Sequence, residues 1–404
     1  MKRISPFSLL GVAAVLAMTG CAKQQAVSYR VWYTPVPADS AGENSALKLY
    51  LEAATEAASL APDSLSRSNF TPGDRAALLK TLSSVLQKIE RGSRRECSFT
   101  ASVPRLSAEE ARNQGWLLIG RVLSWRVDQA CQQEDWSRAI DWTLVAYKFG
   151  VDLSQAGHEE ASLGFFIAGE SRKVLAPHLA KLSPAQLDRL ATGVAKGVVG
   201  SSKRLKAIQA EGQQMMYYVQ WIQDSYRKRD WAGLDQAMYR DGREGIDYLK
   251  GLESEAAPKY FEGMADEAET ITKGLLLDAE MRVPARTKVD WDKVPDRPWK
   301  RFSKHFFRFA ETLVSIGDEF DARTRLFILN ARILSIQKKQ GSAPAKLPGE
   351  DWQKADPYSK GDFVYRATGS DFVIYSVGQD LRDDGGDTDE AGLRPDLKLD
   401  DGLY

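Results

Sequence analysis

The sequence predicts a mainly α-helical protein, an irregular helical bundle closed by a small C-terminal α+β module. Three observations predict it. Apolar residues recur at helical spacing through most of the chain as far as Lys339, and helix-start signatures punctuate that pattern. After Lys339 the period changes to short β-rich runs with clustered Gly and Asp. The composition is that of a globular protein: 404 residues, 43% hydrophobic and 27% charged, with 55 basic and 55 acidic side chains. That excludes wholesale disorder and low-complexity fibres. Neutrality argues against nucleic acid as a partner, because such binding rests on neutralising phosphates. Three Cys and three His leave little material for metal clusters. The expected division is a signal at 1–20, a tether at 21–43, a helical body at 44–298, and a long helix with a small β module at 299–404.

Lys2 and Arg3 precede an apolar run from Phe7 to Met18, the layout of a secretory signal. The run is shorter than the roughly 20 residues that a membrane-spanning helix needs. It ends Leu16-Ala17-Met18-Thr19-Gly20-Cys21, which resembles a bacterial lipobox. The resemblance implies that Cys21 is acylated and becomes the mature N-terminus, anchoring the chain in a bacterial cell envelope. Ala22, in place of Asp, implies the outer membrane, facing the periplasm. The alternative is an ordinary secretory signal with Cys21 unmodified. In such an oxidising compartment Cys97 and Cys131 are an even pair. A disulfide between them is expected, worth about 3–4 kcal/mol through loop closure; the alternative is two buried thiols.

Residues 22–43 are polar, with a short extended stretch expected at Val31-Trp32-Tyr33. Leu47, Leu51, Ala54 and Ala58 begin the helical pattern. Thr71-Pro72-Gly73-Asp74 combines an N-cap with Pro at the first helical position, and Leu78, Leu82, Val85, Leu86 and Ile89 form one apolar stripe after it. Ser107-Ala108-Glu109-Glu110 and Ser183-Pro184-Ala185-Gln186 are capping boxes. Further helices are expected at about 157–182, 184–198, 203–228, 244–282 and 299–339, with breaks at Pro177 and Pro258. Around 110–150, Trp116, Gly120, Leu123, Trp136 and Ala139 resemble one tetratricopeptide-type hairpin. Gln132 and Leu144 depart from that pattern, and no second copy recurs at a fixed period. A single α-hairpin in an irregular bundle is the plainer reading. Met215, Met216, Tyr217, Tyr218 and Trp221, like Phe302, His305, Phe306 and Phe309, read as core stripes.

Phe363–Arg366 and Phe372–Val377 flank Gly369-Ser370 and read as a hairpin. The segment from Gly378 to Asp387 then carries Asp380, Asp383, Asp384 and Asp387 around Gly385-Gly386. Hard oxygen ligands on a glycine-bearing loop suit calcium, which takes six to eight of them; the alternative is a solvated acidic turn. Asp356-Pro357-Tyr358, Tyr365-Arg366, Phe372 to Gly378, Asp380 and Gly385-Gly386 resemble the C-terminal part of type II secretion major pseudopilins. The resemblance implies a β-sheet closing over a calcium loop, with Asp380 as one ligand and Asp387 as a later one. Asp383 and Asp384 have no counterpart there. The lipoprotein signal stands where a pseudopilin has its prepilin site, so the likeness stops at this module. The whole chain resembles large exported helical proteins of planctomycete-like bacteria.

No nucleophile elbow, phosphate loop, dinucleotide fingerprint or zinc-binding helix is present. His158-Glu159-Glu160 reads as helix-start acids. The expected function is therefore non-catalytic binding or scaffolding at the envelope, with a membrane anchor, a protein or envelope-polymer partner, and calcium at the C-terminal loop. The alternatives are an exported hydrolase using carboxylates in a helical groove, and an accessory of a secretion or pilus-like system.

Overall fold

The computed structural model describes residues 28–33, 45–66, 69–97, 108–198, 201–237, 243–286, 299–386 and 396–399. Cys21, Asp387 and the Ser107 cap lie outside them, as do the side chains of Phe302, His305, Phe306 and Phe309. The described residues form fourteen α-helices and one β-hairpin, so the mainly helical expectation holds.

The first layer is α1 (Ala46–Ala58), α2 (Ala61–Ser66), α3 (Pro72–Thr81) and α4 (Ser83–Ser93), packed on α5 (Ala108–Gln132). Thr71 and Asp74 exchange hydrogen bonds as the capping box required. The apolar stripe spans two helices, because Leu82 leaves helical geometry between α3 and α4 and yet stays buried. Trp116 on α5 is fully buried and donates its indole N–H to the Tyr50 carbonyl at 3.2 Å. A hairpin joins α5 to α6 (Trp136–Leu153), and α7 (His158–Leu175) lies against both. Gly150 on α6 and Gly164 on α7 set their approach: a Cβ on either would fall on the other's carbonyl oxygen.

After α7 the chain tightens into a 3-10 turn, Ala176–Lys181, at Pro177. Then come α8 (Pro184–Val198), opened by reciprocal Ser183–Gln186 hydrogen bonds, and α9 (Ser201–Lys228). The helix expected over 244–282 is divided into α11 (Arg243–Gly251) and α12 (Ala257–Glu280), the latter starting at Pro258, while α10 (Trp231–Ala237) fills the turn after α9. One turn is used twice. Glu134 and Arg229 both sit in left-handed conformation, with φ of 54° and 55°, after α5 and α9. Each is followed by an Asp and then a Trp that opens the next helix.

The long helix α13 (Lys300–Gln340) belongs to two cores. Phe320, Phe327, Ile328 and Ala331 join the cluster made by α5 to α9 and α12, whereas Ala322, Leu326, Leu329 and Ile333 pack under the C-terminal module. That module holds α14 (Asp351–Lys354) and the antiparallel pair β1 (Val364–Thr368) and β2 (Asp371–Tyr375), with Gly369 at φ 62° in the two-residue turn. The β-hairpin is where the sequence puts it.

The expected disulfide is not formed, and this corrects the sequence reading: Cys97 and Cys131 both stand as thiols. Cys97 follows α4 and packs in the cluster that also holds Tyr50 and Trp116, whereas Cys131 belongs to the core made by α5 to α9 and α12. Cys131 lies fifteen residues beyond Trp116 on the same helix, roughly 22 Å along its axis. Burial pushes the Cys131 thiol up to about 11, which makes it inert.

Candidate functional site

The C-terminal loop is built from the hairpin outwards. Asp356 is fully buried at its root and accepts from Tyr358 N at 2.9 Å, Ser376 Oγ at 2.7 Å and Val377 N at 3.1 Å. Burial raises its carboxyl above the usual range, against those donors and the Arg325 charge. Ser376 also exchanges two backbone hydrogen bonds with Leu397, which returns the chain to the hairpin. Leu397 is buried under α13, and Leu399 joins the core of the helical body.

Between these anchors the acidic residues take separate roles. Asp380 accepts from Arg382 N at 3.0 Å and so closes its own turn. Asp383 Oδ1 accepts from the Tyr375 hydroxyl at 2.6 Å and from Gly385 N at 3.0 Å, which holds its carboxyl below the usual range. Asp384 donates its backbone N–H to Asp396 Oδ2 at 3.1 Å, and Gly386 N donates to the same oxygen at 2.7 Å. Gly385 and Gly386 both need positive φ, 79° and 76°, and a Cβ on Gly386 would press on the Tyr375 ring at 2.9 Å. Both glycines are thus favoured by dihedral, and Gly386 by space as well.

Asp396 is the residue the sequence reading missed. It is 2% exposed, and its Oδ1 has no hydrogen-bond partner among the described residues. Burial and the charges of Asp384 and Asp383 raise its carboxyl, while the two backbone donors oppose them. No sequence signal marks it: alternation with Leu397 and Leu399 assigns Asp396 to the face opposite those leucines, where a solvated carboxylate is expected. Among the described residues no three carboxylate, imidazole or thiol groups stand close enough to hold a metal ion. Asp380, Asp383 and Asp384 are therefore not gathered into one ligand set.

The other sequence candidates are structural. His158 begins α7, where its backbone N–H donates to buried Glu211 on α9 at 2.9 Å. Glu160 pairs with Arg112 at 3.1 Å, both nearly buried, and Glu159 accepts from Asn113. Two grooves, each of about 480 Å³, open on the body. The first lies between α4, α6 and α8; of its two carboxylates, Glu90 pairs with Arg94 at 2.6 Å and Asp141 pairs with Arg189. The second lies where residues 28–33 cross the end of α9, and no carboxylate among the described residues lines it. No described helix is long and apolar enough to cross a membrane. Compared with family models, with curated proteins and with solved structures, the chain matches none.

Proposed function

We propose that this chain is a lipid-anchored protein of a bacterial cell envelope, acylated at Cys21, which binds or scaffolds and does not catalyse. Within that reading a calcium ion orders the C-terminal loop. The observation that carries the ion is Asp396 Oδ1, a buried carboxylate oxygen beside Asp383 and Asp384 with no hydrogen-bond partner among the described residues. An unpaired buried charge is costly, and a bound cation removes the cost. Calcium accepts backbone carbonyls and waters as well as carboxylates, so it needs no three-carboxylate cluster. Asp380 and Asp387 stay in the proposal as ligands carried over from the pseudopilin resemblance. The likeness of α5–α6 to a tetratricopeptide hairpin belongs to the same proposal. A second reading, docking to a secretion or pilus-like machine, is favoured by β1, which pairs among the described strands with β2 alone and keeps an outer edge for strand addition.

Titration calorimetry with calcium on the chain from residue 21, carrying Cys21→Ser, tests the ion. Binding heat that disappears in Asp396→Asn is expected; Asp383→Asn should weaken binding less, since its Oδ1 already holds two donors. No heat in the parent chain removes calcium from the proposal. The intact mass of membrane-extracted protein tests the anchor, and an unmodified Cys21 ends it. The same spectrum, taken without reductant, should show Cys97 and Cys131 unbonded.

A further inference from the structure

We propose that the groove at the end of α9 binds the phosphate headgroup of an anionic membrane lipid. The proposal deepens the lipid-anchor reading and rests on it for the proximity of the membrane. Tyr29, Tyr226 and Trp231 form the aromatic walls of this groove, and Arg227, Arg229 and Lys250 stand around it. Among the described residues three cations and no carboxylate line it. Arg227 and Lys250 have acidic neighbours on their own helices, Asp224 at 3.5 Å and Asp247 at 3.2 Å, outside the lining. Arg229 makes no ion pair among the described residues, and all three cations are exposed. Arg229 also occupies a left-handed position, φ 55°, which favours glycine, so the turn itself does not account for an arginine. Guanidinium groups bind phosphate through forked hydrogen bonds, and Trp and Tyr favour the membrane–water boundary.

Placement selects the lipid source over a soluble anion. Residues 28–33 are fixed on α9: Trp32 N donates to Gln220 Oε1 at 2.8 Å, and Gln223 Nε2 donates to the Arg30 carbonyl at 2.9 Å. Arg227 stacks on Tyr29 at 5.0 Å. Tyr29 is eight residues from Cys21, a reach of at most about 28 Å whatever path the chain takes. An acylated Cys21 therefore keeps this groove within that distance of the bilayer surface. Val31, 68% exposed, adds an apolar side chain on the same segment.

The test is sedimentation of the chain from residue 21, carrying Cys21→Ser, with vesicles of phosphatidylglycerol or of phosphatidylcholine. Every described residue is retained, and without an acyl chain the groove is read alone; failure here leaves the intact-mass test of the anchor untouched. Binding to phosphatidylglycerol and not phosphatidylcholine is expected. Arg227→Gln, Arg229→Gln and Lys250→Gln together should lower partitioning about a hundredfold, at roughly 1 kcal/mol per basic residue. Arg229→Gly suits the backbone and should lower it about fivefold without loss of fold. Arg94→Gln, Arg138→Gln and Lys196→Gln, the same charge change in the other groove, should have little effect. Equal binding to both vesicles, or equal loss in the two triple variants, overturns the proposal. So does binding of inorganic phosphate by a chain that ignores vesicles.

Discussion

Glu211 places a carboxylate where charge is costly. It is 8% exposed, and it accepts the His158 backbone N–H. Burial, with Glu159 adding to it, pushes its carboxyl up to about 7 against that hydrogen bond. The folded state therefore binds the proton more tightly than the unfolded chain, whose carboxyl titrates near 4.5. Stability from this group is complete below about pH 4.5 and is lost as pH rises through about 7, a change of order 3 kcal/mol. His158, whose imidazole burial lowers, acts in the opposite sense at the acid end, so the comparison needs a variant. Glu211→Gln keeps an acceptor for His158 N and should flatten the urea midpoint between pH 5 and about 8, with the variant the more stable at the alkaline end. Parallel profiles for the two proteins would refute this. Nothing in the sequence marks Glu211, because its partner lies 53 residues away and its own neighbours read as an ordinary helix. Asp396 is no more legible, since alternation with Leu397 and Leu399 assigns it to the solvent-facing side of that segment, and yet it is buried.

At the scale of elements, the helices were legible wherever caps and periodicity coincide. Thr71-Asp74 and Ser183-Gln186 fix two starts, and Pro177 and Pro258 fix two breaks. The break at Leu82 was not legible, because the apolar stripe continues in phase across it. The packing of α6 on α7 was equally hidden, since Gly150 and Gly164 within helices look merely unfavourable. Their value is steric, each leaving room for the other's carbonyl. Gly164→Ala should therefore cost about 1–3 kcal/mol through forced separation of the two helices. Gly274 on α12 faces open space, with nothing within 4 Å of where a Cβ would stand, and Gly274→Ala should stabilise by about 1 kcal/mol. Thermal melts of the pair check this, and a neutral Gly164→Ala would show that α6 and α7 can part without penalty.

At the scale of the whole molecule, α13 decides whether the C-terminal module is an appendage or part of the fold. Its opposite faces carry the two cores, and other ties cross between them. Val283 N donates to the Pro357 carbonyl at 2.9 Å, Arg282 reaches the Gly361 carbonyl at 2.6 Å, and Arg323 reaches the Lys398 carbonyl. Arg286 pairs with Asp318 inside the same joint. Loosening the module must therefore loosen the bundle. Asp356 is the place to test this, because its three accepted hydrogen bonds lie wholly inside the module. Asp356→Ala strands those donors and should cost about 3 kcal/mol. If the two parts unfold as one, the helical circular dichroism, which comes almost wholly from the body, moves to lower urea by that amount with its slope unchanged. A helical transition that stays in place while the module melts early would instead make α13 a stalk with two independent units on it.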